Sequence, residues 1–229
     1  MIKNRQIAFW FRVCAAAGCL VGILAALDIH HGGFNTAQLL YFTFQSNFLV
    51  FVAFVVLAVK TRKDMKANGK TGSCHYFPLI HASLVLSMII VALIFWLGIA
   101  PFISNTEVLW TFGNFATHLI NACLIVGDYV LFSQGGRLTK RTPFLFLVFP
   151  FSYLVQASIL GFAGVEFTTP YSDGIYSFPY PFMDWHRFGG WTVFFILAVA
   201  GVILAVGYVM YLIDSRRKAE PAGPRRGAI

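Results

Sequence analysis

The sequence predicts an all-α, polytopic membrane protein with six transmembrane helices. Only 11% of its 229 residues are charged and 58% are hydrophobic, giving a mean hydropathy of +0.73; soluble domains are about 25% charged. Six apolar runs also approach the roughly 20 residues that a helix needs to cross a hydrocarbon core. They are Ile7–Leu27, Ala37–Val59, Phe77–Leu97, Phe112–Phe132, Phe144–Phe162 and Phe188–Ile213. Residues 1–213 therefore read as one six-helix domain, and residues 214–229 as a basic, disordered cytoplasmic tail.

Charge sets the expected orientation. Lys3 and Arg5 precede the first run. Lys60, Arg62, Lys63, Lys66 and Lys70 fill the second connection, and Arg137, Lys140 and Arg141 the fourth, while the first and third connections carry no Lys or Arg. Because basic loops stay on the cytoplasmic side, both termini are expected there, in a multi-pass cell membrane protein. This asymmetry accounts for the net charge of +8, so the expected partners are membrane lipids and not nucleic acid. Cys14, Cys19 and Cys123 fall in apolar runs and Cys74 in a basic connection, none placed for an extracellular disulfide.

The first run is rich in Ala and Gly between Ala15 and Ala26, which suits close helix approach. The second opens on Tyr41-Phe42-Thr43-Phe44-Gln45-Ser46-Asn47. Thr43, Ser46 and Asn47 recur at i, i+3 and i+4 and so share a face. Polar groups at membrane depth need a protein partner or a wet cavity, so this stripe should point inward. In the third run Ser83 and Ser87 give a weak polar face, and His75 and His81 near its start read as interfacial or packing residues.

The fourth run carries a second stripe, Asn114, Thr117, His118 and Asn121. Measured from Ala37 and from Phe112, Thr43 and His118 each lie about six residues in, roughly 9 Å at the helical rise, so the two stripes should meet at matching depth. Asp128 lies too far along the helix to orient His118. In the fifth run Pro150 should kink the helix, and Tyr153 and Gln156 share a polar face. The fifth connection is aromatic and rich in turns, with Tyr180, Asp184 and His186 as candidates for a cap over an outward-opening cavity, Asp184 serving as N-cap of the sixth helix.

Six spans, Phe42-Thr43-Phe44-Gln45-Ser46-Asn47, one His at position 118, and Tyr180-Pro181-Phe182 followed by Asp184 together resemble the bacterial branch of the androgen-induced six-helix membrane proteins. The resemblance runs over nearly the whole chain. Animal members of that family are threonine hydrolases of fatty acid esters of hydroxy fatty acids, so the resemblance implies a Thr43 nucleophile and a catalytic His118. The animal branch differs around Gln45-Ser46-Asn47 and across residues 179–184, which leaves the substrate open.

The residue types suit this chemistry. A threonine hydroxyl becomes nucleophilic when a neighbouring neutral imidazole takes its proton, and no cofactor is called for. Asn47, Asn114 and Asn121 are candidate oxyanion donors, with Ser46 and Gln156 as further substrate-binding candidates; no third catalytic acid stands near this depth. Two other readings stay open. Asp28, His30, His31, His118, Asp184 and His186 are a possible zinc set for metal-activated water, and a polar cavity of this kind also suits non-catalytic binding or transport.

Overall fold

The computed structural model describes residues 1–29, 32–169 and 172–217. His30 and His31 of the first connection and the tail beyond residue 217 lie outside the described residues. Six helices are long and apolar enough to cross a membrane: α1 (Arg5–Ala26), α2 (Phe42–Asn68), α3 (Pro78–Phe102), α4 (Phe112–Phe132), α5 (Thr142–Phe162) and α6 (Trp191–Arg216). This is a polytopic all-α membrane protein, and its helices alternate between a basic end and an aromatic end of the bundle.

Helices α1 to α4 form the packed centre. Val50 and Phe54 of α2, Leu86 and Met88 of α3 and Ile125 of α4 are buried against Ala15 and Cys19 of α1. Small residues let α1 approach α4 closely. A Cβ on Gly22 would stand 2.9 Å from that of Ala116, and one on Gly113 would stand 2.8 Å from the backbone nitrogen of Ala26. Helices α5 and α6 form an outer pair: half of α3 and of α4 is buried, against 17% of α6. The kink expected from Pro150 takes the form of a break at Phe146 and Leu147, where the missing proline N–H and its ring disturb the carbonyl four residues back.

Several boundaries depart from the sequence expectation. Helix α2 begins at Phe42, after a separate 3-10 turn over Thr36–Leu40 and an extended Tyr41, and continues to Asn68. The basic stretch from Lys60 is thus helical, not an ordinary loop, as Lys, Arg, Met and Ala favour. Asp184 caps the short turn Trp185–Phe188, where its Oδ1 accepts from the Arg187 N–H at 2.9 Å. It does not cap α6, because Gly189 (φ 52°) ends that turn and α6 starts at Trp191. A short antiparallel hairpin, β1 (Phe167–Thr169) with β2 (Ser172–Tyr176), stands in the fifth connection. Residues 214–216, expected in the tail, complete α6, and Asp214 Oδ2 accepts the Arg137 and Leu138 N–H groups, both at 2.8 Å.

Near the basic end Arg12, fully buried, holds four elements together. Its Nε and Nη2 donate to the two oxygens of Asp128 at 2.7 and 3.0 Å, Nη1 to Thr61 Oγ1 at 2.6 Å, and Nη2 also to the Cys74 carbonyl at 2.9 Å. His81 Nε2 lies 3.4 Å from the same carboxylate. Breaking one partner of a buried pair strands the other charge at a cost of about 3–5 kcal/mol, whereas replacing both by apolar groups is near neutral. Asp128→Ala is therefore expected to lower the unfolding free energy in detergent by that amount, and Arg12→Met with Asp128→Leu to recover most of it.

His75, in the connection between α2 and α3, accepts the Gln134 N–H on Nδ1 at 3.2 Å. Burial, assisted by Arg137, pushes its pKa down from 6.5 to about 4. The unfolded chain takes up this proton first, so the stabilisation is complete above pH 6.5 and is lost as pH falls towards 4. Melting temperatures in detergent should drop across that window, and His75→Gln should flatten the drop.

Candidate active site

Both polar stripes face inward and meet between α2 and α4. Thr43 Oγ1 stands 3.5 Å from His118 Nε2. Thr43 occupies the first turn of α2 rather than a point six residues in, yet the depths still match because α2 itself starts deeper than Ala37.

The His118 ring is fixed on both faces of the problem, orientation and tautomer. It stacks on Phe95 of α3 with centroids 3.8 Å apart and planes 24° from parallel. Residues 116–120 form a π-turn, and so do residues 94–99 of α3 around Phe95. A π-turn loosens the regular ladder and is frequent at functional sites. Here the Asn114 carbonyl accepts from side chains: His118 Nδ1 lies 3.0 Å away and Thr117 Oγ1 3.2 Å. A carbonyl cannot donate, so the ring nitrogen that faces it must, and in the neutral ring Nδ1 carries the proton. The Nε2 lone pair then faces Thr43.

Asn47 holds the two helices in register. Its Nδ2 donates to the carbonyls of Thr43 at 2.8 Å and Thr117 at 3.0 Å, and its Oδ1 accepts from Asn121 Nδ2 at 2.7 Å. Asn47 and Asn121 are wholly buried. Asn114 Nδ2 donates to the Leu109 carbonyl at 2.9 Å. Ser46 Oγ is buried without a hydrogen-bond partner. Gln156 lies on an exposed flank of α5, 3.4 Å from Gln45 Nε2. The Asn47 and Asn121 amides proposed from the sequence as oxyanion donors thus join helices, that of Asn114 ties down the turn before its own helix, and only Asn114 among these five side chains lines the cavity described next.

Thr43 and His118 open onto a cavity of about 1590 Å³ lined by residues from all six helices. Its walls are mostly apolar: Val91 and Ile94 of α3, Leu147 and Phe151 of α5, Leu197 and Ile203 of α6. Phe151 and Leu197 are also exposed on the bundle surface, so the cavity communicates with the space that lipid fills. At the aromatic end the loop from Tyr176 to Met183 covers it. Tyr41 ties that loop down, donating to the Thr168 carbonyl at 3.0 Å and meeting Phe167 and Tyr180 edge-on.

Tyr180 is one of the loop residues on the cavity wall. It lines the same cavity as Thr43 and His118, stacks on Phe182 and lies 6.2 Å from the Tyr153 ring, centroid to centroid. Burial raises the Tyr180 pKa above its ordinary 10, which keeps the phenol protonated. The sequence marks it as part of a cap, and the path of the loop brings it to the wall of the cavity that Thr43 also lines. His186 of the same loop packs against Phe162 and Phe178. Among the described residues no three His, Cys, Asp or Glu side chains form a metal-holding group.

Comparison with family models, curated proteins and solved structures finds no match.

The two polar residues of the α2 stripe below Thr43 should differ sharply when altered. Asn47→Leu leaves buried polar partners unpaired, a loss of about 1–3 kcal/mol, measurable as a lower melting temperature in detergent. Ser46→Ala removes an already unpartnered hydroxyl and should leave stability unchanged or raise it.

Proposed function

We propose that the protein is an intramembrane threonine hydrolase of lipid-type esters, with Thr43 as nucleophile and His118 as general base. The observation that carries this reading is the Thr43 Oγ1 to His118 Nε2 approach of 3.5 Å, on the ring nitrogen left unprotonated by the Nδ1 contact with the Asn114 carbonyl. Such contacts commonly tighten only when substrate is bound. The resemblance to the androgen-induced six-helix proteins supports the same two residues.

In the proposed reaction the Thr43 oxygen bonds to the ester carbonyl carbon while its proton passes to His118 Nε2. The tetrahedral intermediate collapses with loss of the alcohol, which takes that proton, and leaves an acyl-threonine. Water then attacks the acyl carbon, again giving its proton to His118, and the acid departs as Thr43 is re-protonated. The cavity of about 1590 Å³ exceeds the ~300–1,000 Å³ of usual small-molecule pockets and suits an acyl chain. With basic loops cytoplasmic, the site falls in the outer half of a cell membrane, where a lipid ester arrives laterally between α3, α5 and α6.

A second reading, a non-catalytic lipid or small-molecule binder or transporter, draws on the same apolar volume. Labelling with a fluorophosphonate probe separates the two. The hydrolase reading expects wild-type protein to form an adduct at Thr43, and both Thr43→Ala and His118→Ala to lose it. A folded wild type that stays unlabelled overturns the hydrolase and leaves the binder.

A further inference from the structure

In the proposed reaction His118 becomes a cation, a charge that a triad histidine shares with a carboxylate. Among the described residues no carboxylate bonds to Nδ1, which faces the neutral Asn114 carbonyl at 3.0 Å and the Thr117 hydroxyl at 3.3 Å. What meets the ring instead is the face of Phe95, itself 2% exposed, with centroids 3.8 Å apart and planes 24° from parallel. Two neutral aromatic rings disfavour that arrangement, because their electron-rich faces repel; they prefer edge-on or offset contacts with centroids about 4.5–7 Å apart. Neighbouring pairs take the ordinary form. Phe95 meets Trp96 edge-on at 5.2 Å, and His81, near the basic end, meets Tyr129 edge-on at 5.4 Å. The His118 pair departs from it, and a positive charge on the imidazole is what makes a face-to-face stack favourable.

We propose, on the hydrolase reading above, that Phe95 is a positioning residue that stabilises the protonated form of His118: its ring face supplies a cation–π contact in place of a carboxylate. A cation within about 6 Å of an aromatic centroid is attracted by the ring's negative face, most strongly where water is excluded. As the Thr43 oxygen bonds to the ester carbonyl carbon, its proton moves to Nε2 and the imidazole gains a positive charge. The stack, repulsive while both rings are neutral, then becomes attractive. It reverts when the proton passes to the departing alcohol, and the cycle repeats as water attacks the acyl-threonine. No bond to Phe95 forms or breaks. The contact is thus stronger in the transition state than with substrate merely bound, which is the condition for an interaction to raise kcat.

Both rings are held by more than their stack. Phe95 packs with Ala100 and Leu109 in an apolar cluster, and the Nδ1 contact with Asn114 fixes the imidazole from its edge. Each ring also stands in a π-turn, residues 94–99 of α3 and 116–120 of α4. Withdrawing electrons from Phe95 at constant shape therefore alters the charge contact and leaves the packing in place.

The experiment replaces Phe95 in the full-length protein with phenylalanines that carry one, two and three ring fluorines. Fluorine drains the ring face and keeps the core packed, where Phe95→Leu confounds charge with packing. The rate of fluorophosphonate labelling at Thr43 is measured and, on a p-nitrophenyl acyl ester, kcat and KM separately, with melting temperature as control. A desolvated cation–π contact is worth about 10- to 30-fold in rate. Labelling and kcat are expected to fall stepwise with each fluorine, by about 10-fold at three, with KM and melting temperature unchanged. Rates indifferent to fluorination make Phe95 a packing residue only and overturn the assignment. A fall in kcat that follows melting temperature instead of fluorine number overturns it too. If wild type neither labels nor turns over ester, the hydrolase reading itself has failed and this assignment with it; if wild type labels at Thr43 and the fluorinated proteins match it, only the Phe95 assignment has.

Discussion

Between α2 and α4 a single amide side chain, that of Asn47, makes three hydrogen bonds that no lipid tail can replace. Apolar contacts between helices in a membrane are nearly interchangeable with contacts to lipid, so they bring helices together without choosing a register. Asn47 chooses one. It binds the carbonyl of Thr43 on its own helix and that of Thr117 beside His118, which sets the Thr43 hydroxyl opposite the imidazole. The closeness of α1 to α4 at Gly22 and Gly113 follows the same register, since each glycine must find its small partner at one height.

A second polar lock, Arg12 with Asp128, works nearer the other end of the same helices. The two differ in kind. Asn47 is neutral and joins two helices, while Arg12 is charged and gathers α1, α2, α4 and the Cys74 connection, with His81 of α3 beside its carboxylate. Together they fix α1 to α4 at two heights, which is what makes a rigid frame out of helices whose remaining contacts are apolar. The outer pair, α5 and α6, has no comparable lock to the frame among the described contacts at mid-depth and lies mostly against lipid.

The six spans and the inward stripes were legible in the sequence because they depend on hydropathy and on the 3.6-residue period alone. Thr43 and His118 were paired from equal offsets in two apolar runs entering from one end, and they do meet, although α2 itself starts only at Phe42. Other features were not legible for physical reasons. Arg12 and Asp128 sit 116 residues apart, and nothing local in either run announces a partner. The π-turns that seat Phe95 against His118 are produced by packing, with no residue signature comparable to a proline. Tyr180 read as a cap residue because aromatic loops in membrane proteins sit at the interface; only the path of the connection, tied to Tyr41, brings it to the cavity wall that Thr43 also lines. The start of α2 was misplaced because Ala37–Leu40 is as apolar as the helix that follows, and hydropathy does not distinguish a 3-10 turn from a first helical turn.

The break in α5 at Phe146 and Leu147, together with the shallow burial of α6, divides the molecule's labour. In the proposed hydrolase the reacting pair stands on α2 and α4, whereas much of the cavity wall that a long chain would slide along belongs to α5 and α6. Size selection and bond-making would then be separate traits of one small protein. On that proposal, changes at Leu147, Phe151 or Leu197 would widen, narrow or reshape the gallery while Thr43 and His118 keep their spacing, so that one scaffold could serve lipids of differing bulk with the same chemistry.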